Sequence, residues 1–255
     1  MSTRTMVLSM GLQRELTNTG NWLFRWRSFL PVTVVVCAVI AMLPIPQPRH
    51  DGLIADSIEI VSLGISFLGM LIRAMTVGHT PAGTSGRNTA GQVAESLNTT
   101  GIYSTVRHPL YLANFLIGLG LSCFTLTWWF PLMYTLTFWL YYERIMMAEE
   151  SFLRSKFGEQ FTEWIQKTPA FIPRWRNYTP PNLKFSIRNV LRREYNTLLQ
   201  MVVVGFLLEF FGDWFDSGRM TVSGPWCIFL LTGTLVWACL RTLKRNSSVL
   251  EVAGR

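Results

Sequence analysis

The sequence predicts an all-α, polytopic integral membrane protein with about six membrane helices, including one short helical hairpin. The first indication is composition: 49% of the residues are hydrophobic and 15% are charged, whereas soluble domains carry about 25% charged residues. The second is that the apolar residues form blocks, and a membrane helix needs roughly 20 such residues. The third is the biased distribution of basic residues between these blocks.

The apolar blocks define the predicted membrane segments. Residues 29–43, 58–72, 198–211 and 226–240 each reach the length of one membrane helix with their flanks. Residues 110–142 form a longer block, which would extend about 50 Å as a single helix. Because the hydrocarbon core is only about 30 Å thick, we expect this block to turn near residues 128–131 and form a hairpin of two short helices.

The basic residues predict the orientation of these segments. If both termini lie in the cytoplasm, every Lys and Arg except Arg49 and Arg219 falls on the cytoplasmic side, as the positive-inside rule requires. The net charge of +8 is then a consequence of orientation, and nucleic-acid binding is not predicted because no basic soluble domain is expected. An uncleaved first segment and compact loops favour a bacterial inner membrane as the location, with an organelle membrane as the alternative.

Three parts of the chain are distinguished on this basis. Residues 1–27 form a basic lead with several aromatic residues, which suits a helix at the membrane interface. Residues 28–193 are predicted to form the membrane core, with residues 183–193 as a separate basic surface helix. Residues 194–255 add a C-terminal transmembrane hairpin, interpreted as a scaffold or an oligomer surface because Glu209 is its main polar feature.

Two polar motifs bracket the predicted hairpin of residues 110–142. The first is Arg107-His108-Pro109; Pro109 suits the first turn of a helix, so Arg107 and His108 lie at its start, where the helix dipole favours negative groups. The second is Glu149-Glu150, which the hairpin returns toward the first motif. Helix packing in a membrane does not require such a cluster, so we interpret it as a candidate site.

Further polar residues extend this candidate site. Tyr111, Asn114 and Gly118 share one face of the first hairpin helix, where they line a pocket or, for the glycine especially, mediate close helix packing. Arg73, near the end of the second apolar block, is either a site residue or an arginine that extends toward the interface. Gly158, within a later amphipathic segment, is predicted to mark a bend or a close contact.

A polar, glycine-rich loop at residues 78–100 precedes the first motif. Successive backbone N–H groups near Gly83 and Gly86, together with Arg87, are able to form an anion-binding site. The alternative interpretation is a flexible connector. Long polar loops in compact domains are usually either functional or disordered, and the position next to the Arg-His-Pro motif favours a function.

These motifs together resemble the isoprenylcysteine carboxyl methyltransferase family and the related phospholipid N-methyltransferases. The resemblance covers about residues 73–175: Arg-His-Pro-Leu-Tyr, a hairpin, the Glu pair, Phe-Gly and a terminal Pro-x-Phe-Ile-Pro-Arg. It implies an integral-membrane enzyme that uses S-adenosylmethionine at the cytoplasmic face, with a lipid or lipidated acceptor entering from the bilayer, and no metal site. The implied cofactor-binding residues are Tyr103, Arg107, His108, Tyr111, Asn114, Glu149 and Glu150, and the implied catalytic or substrate-binding residues are Arg73, Arg87, Asn88, Arg144 and Arg174.

Several features leave the acceptor and the reaction class open at this point. Phe161 and Trp164 stand where the family usually has tyrosines, so only stacking or packing is expected there. Because guanidinium groups bind carboxylate and phosphate well, the arginines favour O-methylation of an anionic headgroup over N-methylation of an aminophospholipid. Membrane sterol reductases, which use a nicotinamide cofactor, share parts of the motif, and a non-catalytic scaffold is a third alternative; the Glu149-Glu150 pair favours the methyltransferase.

Overall fold

The computed structural model describes residues 3–26, 29–43, 53–84, 92–220 and 222–255. Within these ranges the chain forms α-helices and two short 3-10 turns but no strand, with one isolated backbone bridge between Gly101 and Thr179. The predicted all-α fold is therefore confirmed. The helices are α1 (Thr3–Trp26), α2 (Leu30–Met42), α3 (Leu53–Gly78), α4 (Pro109–Cys123), α5 (Trp129–Lys167), α6 (Ile187–Ser217) and α7 (Gly224–Asn246).

The long apolar helices make this an integral membrane protein, as predicted. Among the described helices, three stretches are long and apolar enough to cross a membrane: Asp56–Gly78, Ile187–Phe215 and Gly224–Asn246. Val32–Met42 and Pro109–Cys123 are apolar but shorter; a 15-residue helix is only about 22 Å long, less than the hydrocarbon core. The count of about six membrane helices therefore stays a prediction.

A hairpin is present between α4 and α5 as predicted, but its turn lies mostly before the predicted residues 128–131 and its second arm, α5, is a long helix and not a short one, because the helix continues past the apolar block. Its turn comprises residues 124–128, and Leu126 has a positive φ of 51° there. Buried hydroxyl groups stabilise the turn, because Thr125 Oγ1 and Thr127 Oγ1 lie 2.7 Å apart. Pro131 does not break the chain, as its missing N–H falls in the first turn of α5, where no intrahelical hydrogen bond is lost.

Helix α5 continues through the Glu pair and bends near its end. The bend lies at Gly158, whose φ of 51° and ψ of −116° are not helical. An added Cβ at Gly158 would meet nothing within 4 Å, so of the two predicted roles the bend is confirmed and the close contact is wrong. After the bend, α5 buries Phe161 completely and Trp164 almost completely.

Helix α6 is longer than the sequence suggested. It begins after Ser186, whose hydroxyl accepts a hydrogen bond from the Asn189 N–H, and ends at Gly218 in the left-handed conformation. The prediction of a separate surface helix at residues 183–193 is wrong, because Arg188, with the neighbouring basic residues, forms the first turns of α6. No proline interrupts the backbone hydrogen bonds between the basic and the apolar parts.

Small residues let the helices around the hairpin approach closely. A Cβ on Gly69 of α3 would lie 2.6 Å from the Ala113 carbonyl oxygen of α4, and one on Gly120 would lie 2.4 Å from the Ser62 carbonyl oxygen. Gly118 similarly makes room for the hydroxyl of Tyr134 from α5. Gly118 and Gly120 therefore serve helix packing, as small residues commonly do in membranes.

Candidate active site

Backbone hydrogen bonds hold the segment of the first motif beside the segment that follows α5. The Arg107 N–H donates to the Pro169 carbonyl at 2.9 Å, and the Arg174 N–H donates to the Thr105 carbonyl at 2.9 Å. The two segments thus run next to each other at the start of α4. This pairing fixes the Arg-His-Pro motif against the end of α5, independently of its side chains.

The side chains of the two predicted motifs converge in one charged cluster. His108 is buried, with Nε2 3.0 Å from Glu150 Oε1 and Nδ1 3.7 Å from Glu149 Oε2. Arg107 Nε lies 3.3 Å from the same Glu150 oxygen. The expectation that the hairpin returns the Glu pair to the Arg-His-Pro motif is therefore met by the geometry.

The charge state of His108 follows from this environment. Burial by itself would lower the pKa of the imidazole, but the adjacent Glu149 and Glu150 carboxylates outweigh it and raise the pKa above its ordinary value. A protonated imidazole donates from both ring nitrogens, which matches a carboxylate oxygen on each side. His108 is thus an ion-pair partner that holds the two carboxylates in place.

Aromatic rings cover one side of this cluster. The Tyr111 ring stacks on the His108 ring at a centroid distance of 5.5 Å and an angle of 18°, and contacts the Tyr142 ring at 4.9 Å. Tyr111 and Tyr142 come from different arms of the hairpin. The stack excludes water from the imidazole and keeps its plane fixed between the carboxylates.

Tyr103 forms another wall of the site. Burial raises the pKa of its phenol far above the ordinary value, and the Glu149 carboxylate adds to this effect. The positive charges of Arg193 and Arg73 offset part of it, so the phenol stays protonated. The Trp164 indole N–H donates to the Tyr103 carbonyl at 3.2 Å, and the expectation that position 164 offers only stacking or packing is therefore wrong.

Arg73 occupies a buried ion-pair network that joins three helices. Its Nε and Nη2 lie 2.7 and 3.1 Å from the two carboxylate oxygens of Glu194 in α6. Its Nη1 also donates to the Asn114 side-chain oxygen in α4. The sequence analysis missed Glu194, although a carboxylate at the start of a long apolar helix is itself a signal of function.

A cavity of about 470 Å³ connects the charged cluster to the apolar interior. At its polar end it is lined by most of the predicted site residues. At its apolar end it is lined by residues of α2, α4, α5 and α6, among them Ala38, Leu121, Phe130 and Leu208. The predicted residues that line it are Arg73, Tyr103, Arg107, His108, Tyr111, Asn114 and Glu149.

The remaining predicted residues lie elsewhere. Glu150 contacts Arg107 and His108 without itself lining the cavity. Arg144 donates to the Leu140 carbonyl of its own helix, the side chain of Arg174 is exposed, and neither lines the cavity. Their assignment to the substrate stays a prediction, and Arg87 and Asn88 lie outside the described residues.

Two buried donors at the cavity have no hydrogen-bond partner among the described residues. They are Arg107 Nε and Gln92 Nε2. For Arg107 the 3.3 Å contact with Glu150 is an ionic one that lacks hydrogen-bond geometry. Since buried polar atoms are nearly always paired in proteins, these two donors are suited to acceptor groups of a bound molecule.

Comparison with known proteins agrees with the placement of the motifs. Residues 60–160 match the model of the phospholipid methyltransferase family. The chain is 36% identical over 171 residues to a cobalt-zinc-cadmium resistance protein of Cupriavidus metallidurans, covering 66% of this chain and 72% of the relative. Comparison with solved structures gave no match.

Two further relatives match this chain over shorter stretches. A nickel-cobalt-cadmium resistance protein of Alcaligenes xylosoxydans xylosoxydans is 38% identical over 85 residues, which cover 33% of this chain and 39% of the relative. A protein-S-isoprenylcysteine O-methyltransferase of Schizosaccharomyces pombe is 29% identical over 118 residues, which cover 44% of this chain and 48% of the relative. The chain thus matches less than half the length of these two relatives.

Proposed function

Because this chain belongs to the membrane methyltransferase family that unites the phospholipid and isoprenylcysteine methyltransferases, we propose that it methylates an anionic lipid or lipidated acceptor with S-adenosylmethionine. The reaction is O-methylation of a carboxylate or lipid phosphate at the cytoplasmic membrane face, in a bacterial inner membrane. One observation carries the proposal: Arg107, His108 and Glu149 line the polar end of a cavity whose other end lies among apolar helices, with Glu150 paired to Arg107 and His108 behind them.

The residues at the polar end fit S-adenosylmethionine. Its amino-acid end carries a carboxylate, for which the buried donors on Arg107 and Gln92 are suitable partners. Its ammonium and ribose hydroxyl groups are donors, for which the Glu149 carboxylate at the cavity wall is suitable. A cavity of about 470 Å³ also lies in the range of about 300–1,000 Å³ that is usual for ligand sites.

The protein contributes mainly position and the exclusion of water. Bound S-adenosylmethionine supplies a methyl group on a sulfonium that is already activated. The Tyr111 ring shields the buried His108 imidazole from water, while a third of the Glu149 side chain stays exposed, and the apolar end aligns the acceptor chain. Orienting two reactants in this way accounts for a large share of the rate enhancement of two-substrate enzymes.

The charge states of the site favour an anionic acceptor over an amine. A lipid amine arrives protonated and needs a base before it can accept a methyl group. The Glu149 and Glu150 carboxylates outweigh burial and raise the pKa of His108, and burial raises the pKa of the Tyr103 phenol, so the carboxylate of Glu149 at the cavity wall is the group that would have to serve as this base. A carboxylate or phosphate oxygen on the acceptor needs no base. An acceptor of either kind is therefore suited to O-methylation at this site.

The acceptor must be inferred from the site because two of the relatives are named for metal resistance and not for a reaction. The relative from Schizosaccharomyces pombe is named for O-methylation of protein-S-isoprenylcysteine, and the oxygen atoms of a cysteine are those of its carboxyl group. That acceptor combines an anionic head with a long apolar chain. The cavity has the same two-part character, which supports an acceptor of this class.

The test is calorimetric titration of the detergent-purified full chain with S-adenosylhomocysteine and, separately, NADPH. We expect saturable binding of S-adenosylhomocysteine alone, and an affinity at least about tenfold weaker in Glu149→Gln, which loses a charge-assisted contact. Glu159→Gln, on the exposed part of α5 beyond the bend, is the matched control and should bind like the wild type.

Other outcomes would reassign the protein. Binding of NADPH alone would indicate a reductase, and binding of neither ligand would indicate a non-catalytic membrane protein. If S-adenosylhomocysteine binds, labelled methyl transfer into a lipid extract identifies the acceptor. Methyl groups released by mild base indicate a carboxylate ester, whereas base-stable label on an aminophospholipid would replace O-methylation by N-methylation.

A further inference from the structure

One face of α6 lines the cavity from its polar end to its apolar end. In an α-helix, residues three, four and seven positions apart lie on one face. Along this face the side chains change from cationic through polar to apolar in the direction of the chain. The residues of this face, which we call the α6 wall, are Arg193, Asn196, Thr197, Gln200, Val204 and Leu208.

The α6 wall is long enough to match an amphiphile, and its side chains change from charged to apolar in the same order. Arg193 and Leu208 are 15 positions apart, which corresponds to about 22 Å along the helix axis. That distance exceeds half the roughly 30 Å hydrocarbon core of a bilayer. A molecule with an anionic head and one long apolar chain would therefore match the wall along its whole length.

Arg73, predicted from the sequence as a substrate-binding residue, is already engaged. Both oxygens of Glu194 accept from its guanidinium, and Asn114 accepts from its remaining nitrogen. Arg73 is 12% exposed and Glu194 3% exposed. Moving this guanidinium to an acceptor anion would leave a buried carboxylate unpaired, which is strongly unfavourable.

Arg193 precedes Glu194 on α6 and, like Arg73 and Glu194, lines the cavity. Its positive charge acts on the buried Tyr103 phenol, and both residues line the cavity. Its position therefore places a guanidinium near the polar end, at the start of the apolar path. Arg193 also lies beyond residue 160, outside the part of the chain that matches the family model.

We propose that Arg193 binds the anionic headgroup of the methyl acceptor, and that the α6 wall thereby selects which acceptor this protein uses. The proposal rests on the proposed function and deepens it, since it assigns the acceptor's head to a residue outside the cofactor cluster. It makes α6 part of the site, where the sequence suggested a scaffold or an oligomer surface. Arg193 contacts the substrate in this assignment, and Arg73 is a positioning residue that holds α6 in place.

The experiment compares single-chain probes that share one oleyl chain and differ only in the head. They are oleyl phosphate and oleate, which are anionic, oleyl alcohol, which is neutral, and oleylamine, which is cationic. Each is added at increasing mole fraction in mixed micelles to the full chain saturated with S-adenosylhomocysteine. The rise in Tm gives an apparent Kd, because a ligand that binds only the folded state stabilises it.

The variants are Arg193→Gln, Arg193→Lys and the matched control Arg192→Gln. Arg192 precedes Arg193 on α6 but does not line the cavity, and its guanidinium contacts the Arg255 carbonyl. We expect Arg193→Gln to weaken the anionic probes about tenfold, the usual effect of losing one charge-assisted hydrogen bond. Arg193→Lys should retain most of the affinity, and Arg192→Gln should behave like the wild type.

A second readout separates this role from a structural one. Arg193→Gln should leave the Kd for S-adenosylhomocysteine and the response to oleyl alcohol unchanged. Equal losses in Arg193→Gln and Arg192→Gln, a parallel loss of S-adenosylhomocysteine binding, or stronger stabilisation by oleylamine than by the anions would each overturn the proposal. If the wild type binds no S-adenosylhomocysteine, the proposed function fails, while the probe comparison made without it still decides whether Arg193 binds anions.

Discussion

At the scale of single residues, His108 illustrates how charge organises the site. The two carboxylates outweigh the effect of burial and raise the pKa of His108, so the imidazole keeps its proton to a higher pH than a free histidine does. Its role is to place Glu149 at the cavity wall and Glu150 behind it, within reach of Arg107. Removing the imidazolium would leave the partly exposed carboxylates of Glu149 and Glu150 with Arg107, which contacts Glu150, as the remaining cation of the cluster, and like charges held close together are unfavourable.

The raised pKa of His108 predicts a pH dependence of stability. A group whose pKa is higher in the folded state stabilises that state fully below its unfolded pKa, about 6.5 for histidine. The contribution disappears as the pH rises through the folded-state pKa. We therefore expect the Tm difference between wild type and His108→Gln to be largest below about pH 6.5 and to shrink at higher pH.

The measurement is a series of thermal unfolding curves in detergent across this pH range. The control is His79→Gln, since His79 contacts the Met75 carbonyl and the Phe185 ring and is not part of the carboxylate cluster. A Tm difference for His108→Gln that stays constant or grows with pH would contradict the ion-pair role.

At the scale of elements, the sequence was informative about local pattern and less so about distant pairing. The Arg-His-Pro motif, the hairpin and the Glu pair were predictable because the second arm of a helical hairpin passes back beside the start of the first arm, although α5 continues well beyond that point. The Arg73–Glu194 pair was not predictable from the sequence, because its members are 121 positions apart. The periodicity of a single sequence does not indicate which arginine a distant glutamate contacts.

The Arg73–Glu194 pair predicts a non-additive pattern of stability. Glu194→Gln or Arg73→Gln leaves a buried charge without its partner and should cost about 3–5 kcal/mol of unfolding free energy. The double variant Arg73→Met/Glu194→Leu removes both charges and should be less destabilised than either single variant. Unfolding of the purified protein measures all three, and additive losses would show that the pair is not coupled.

The bend in α5 predicts a backbone effect without a packing effect. Gly158 has a φ of 51° and free space around it, so Gly158→Ala should cost about 1 kcal/mol or more through backbone strain alone. Gly64 also has free space but lies inside α3 with ordinary helical geometry. Gly64→Ala should therefore stabilise the protein by about 0.5–1 kcal/mol, and a similar response of the two variants would contradict the assigned bend.

At the scale of the whole molecule, the cavity joins a charged site to the apolar helices, and the charged site therefore lies toward one face of the membrane. The orientation of the chain decides which compartment that face meets, and hence which compartment supplies the methyl donor. The sequence predicted this orientation from its basic residues, whereas the described helices alone do not distinguish the two faces of a membrane. Arg219, between α6 and α7, is predicted outside, and Arg176, after α5, is predicted inside with the site.

Cysteine labelling tests this orientation directly. In a variant whose four native cysteines are replaced by serine or alanine, Arg219→Cys should react with a membrane-impermeant maleimide in intact cells. Arg176→Cys should react only after the membrane is permeabilised, because the basic segment around it is retained in the cytoplasm. S-adenosylmethionine is a charged solute that does not cross a bilayer unaided, so a methyltransferase whose site faces the cytoplasm has direct access to its donor. The reverse labelling pattern would place the Arg107–Glu150 cluster on the outer face and would contradict both the orientation and the proposed reaction.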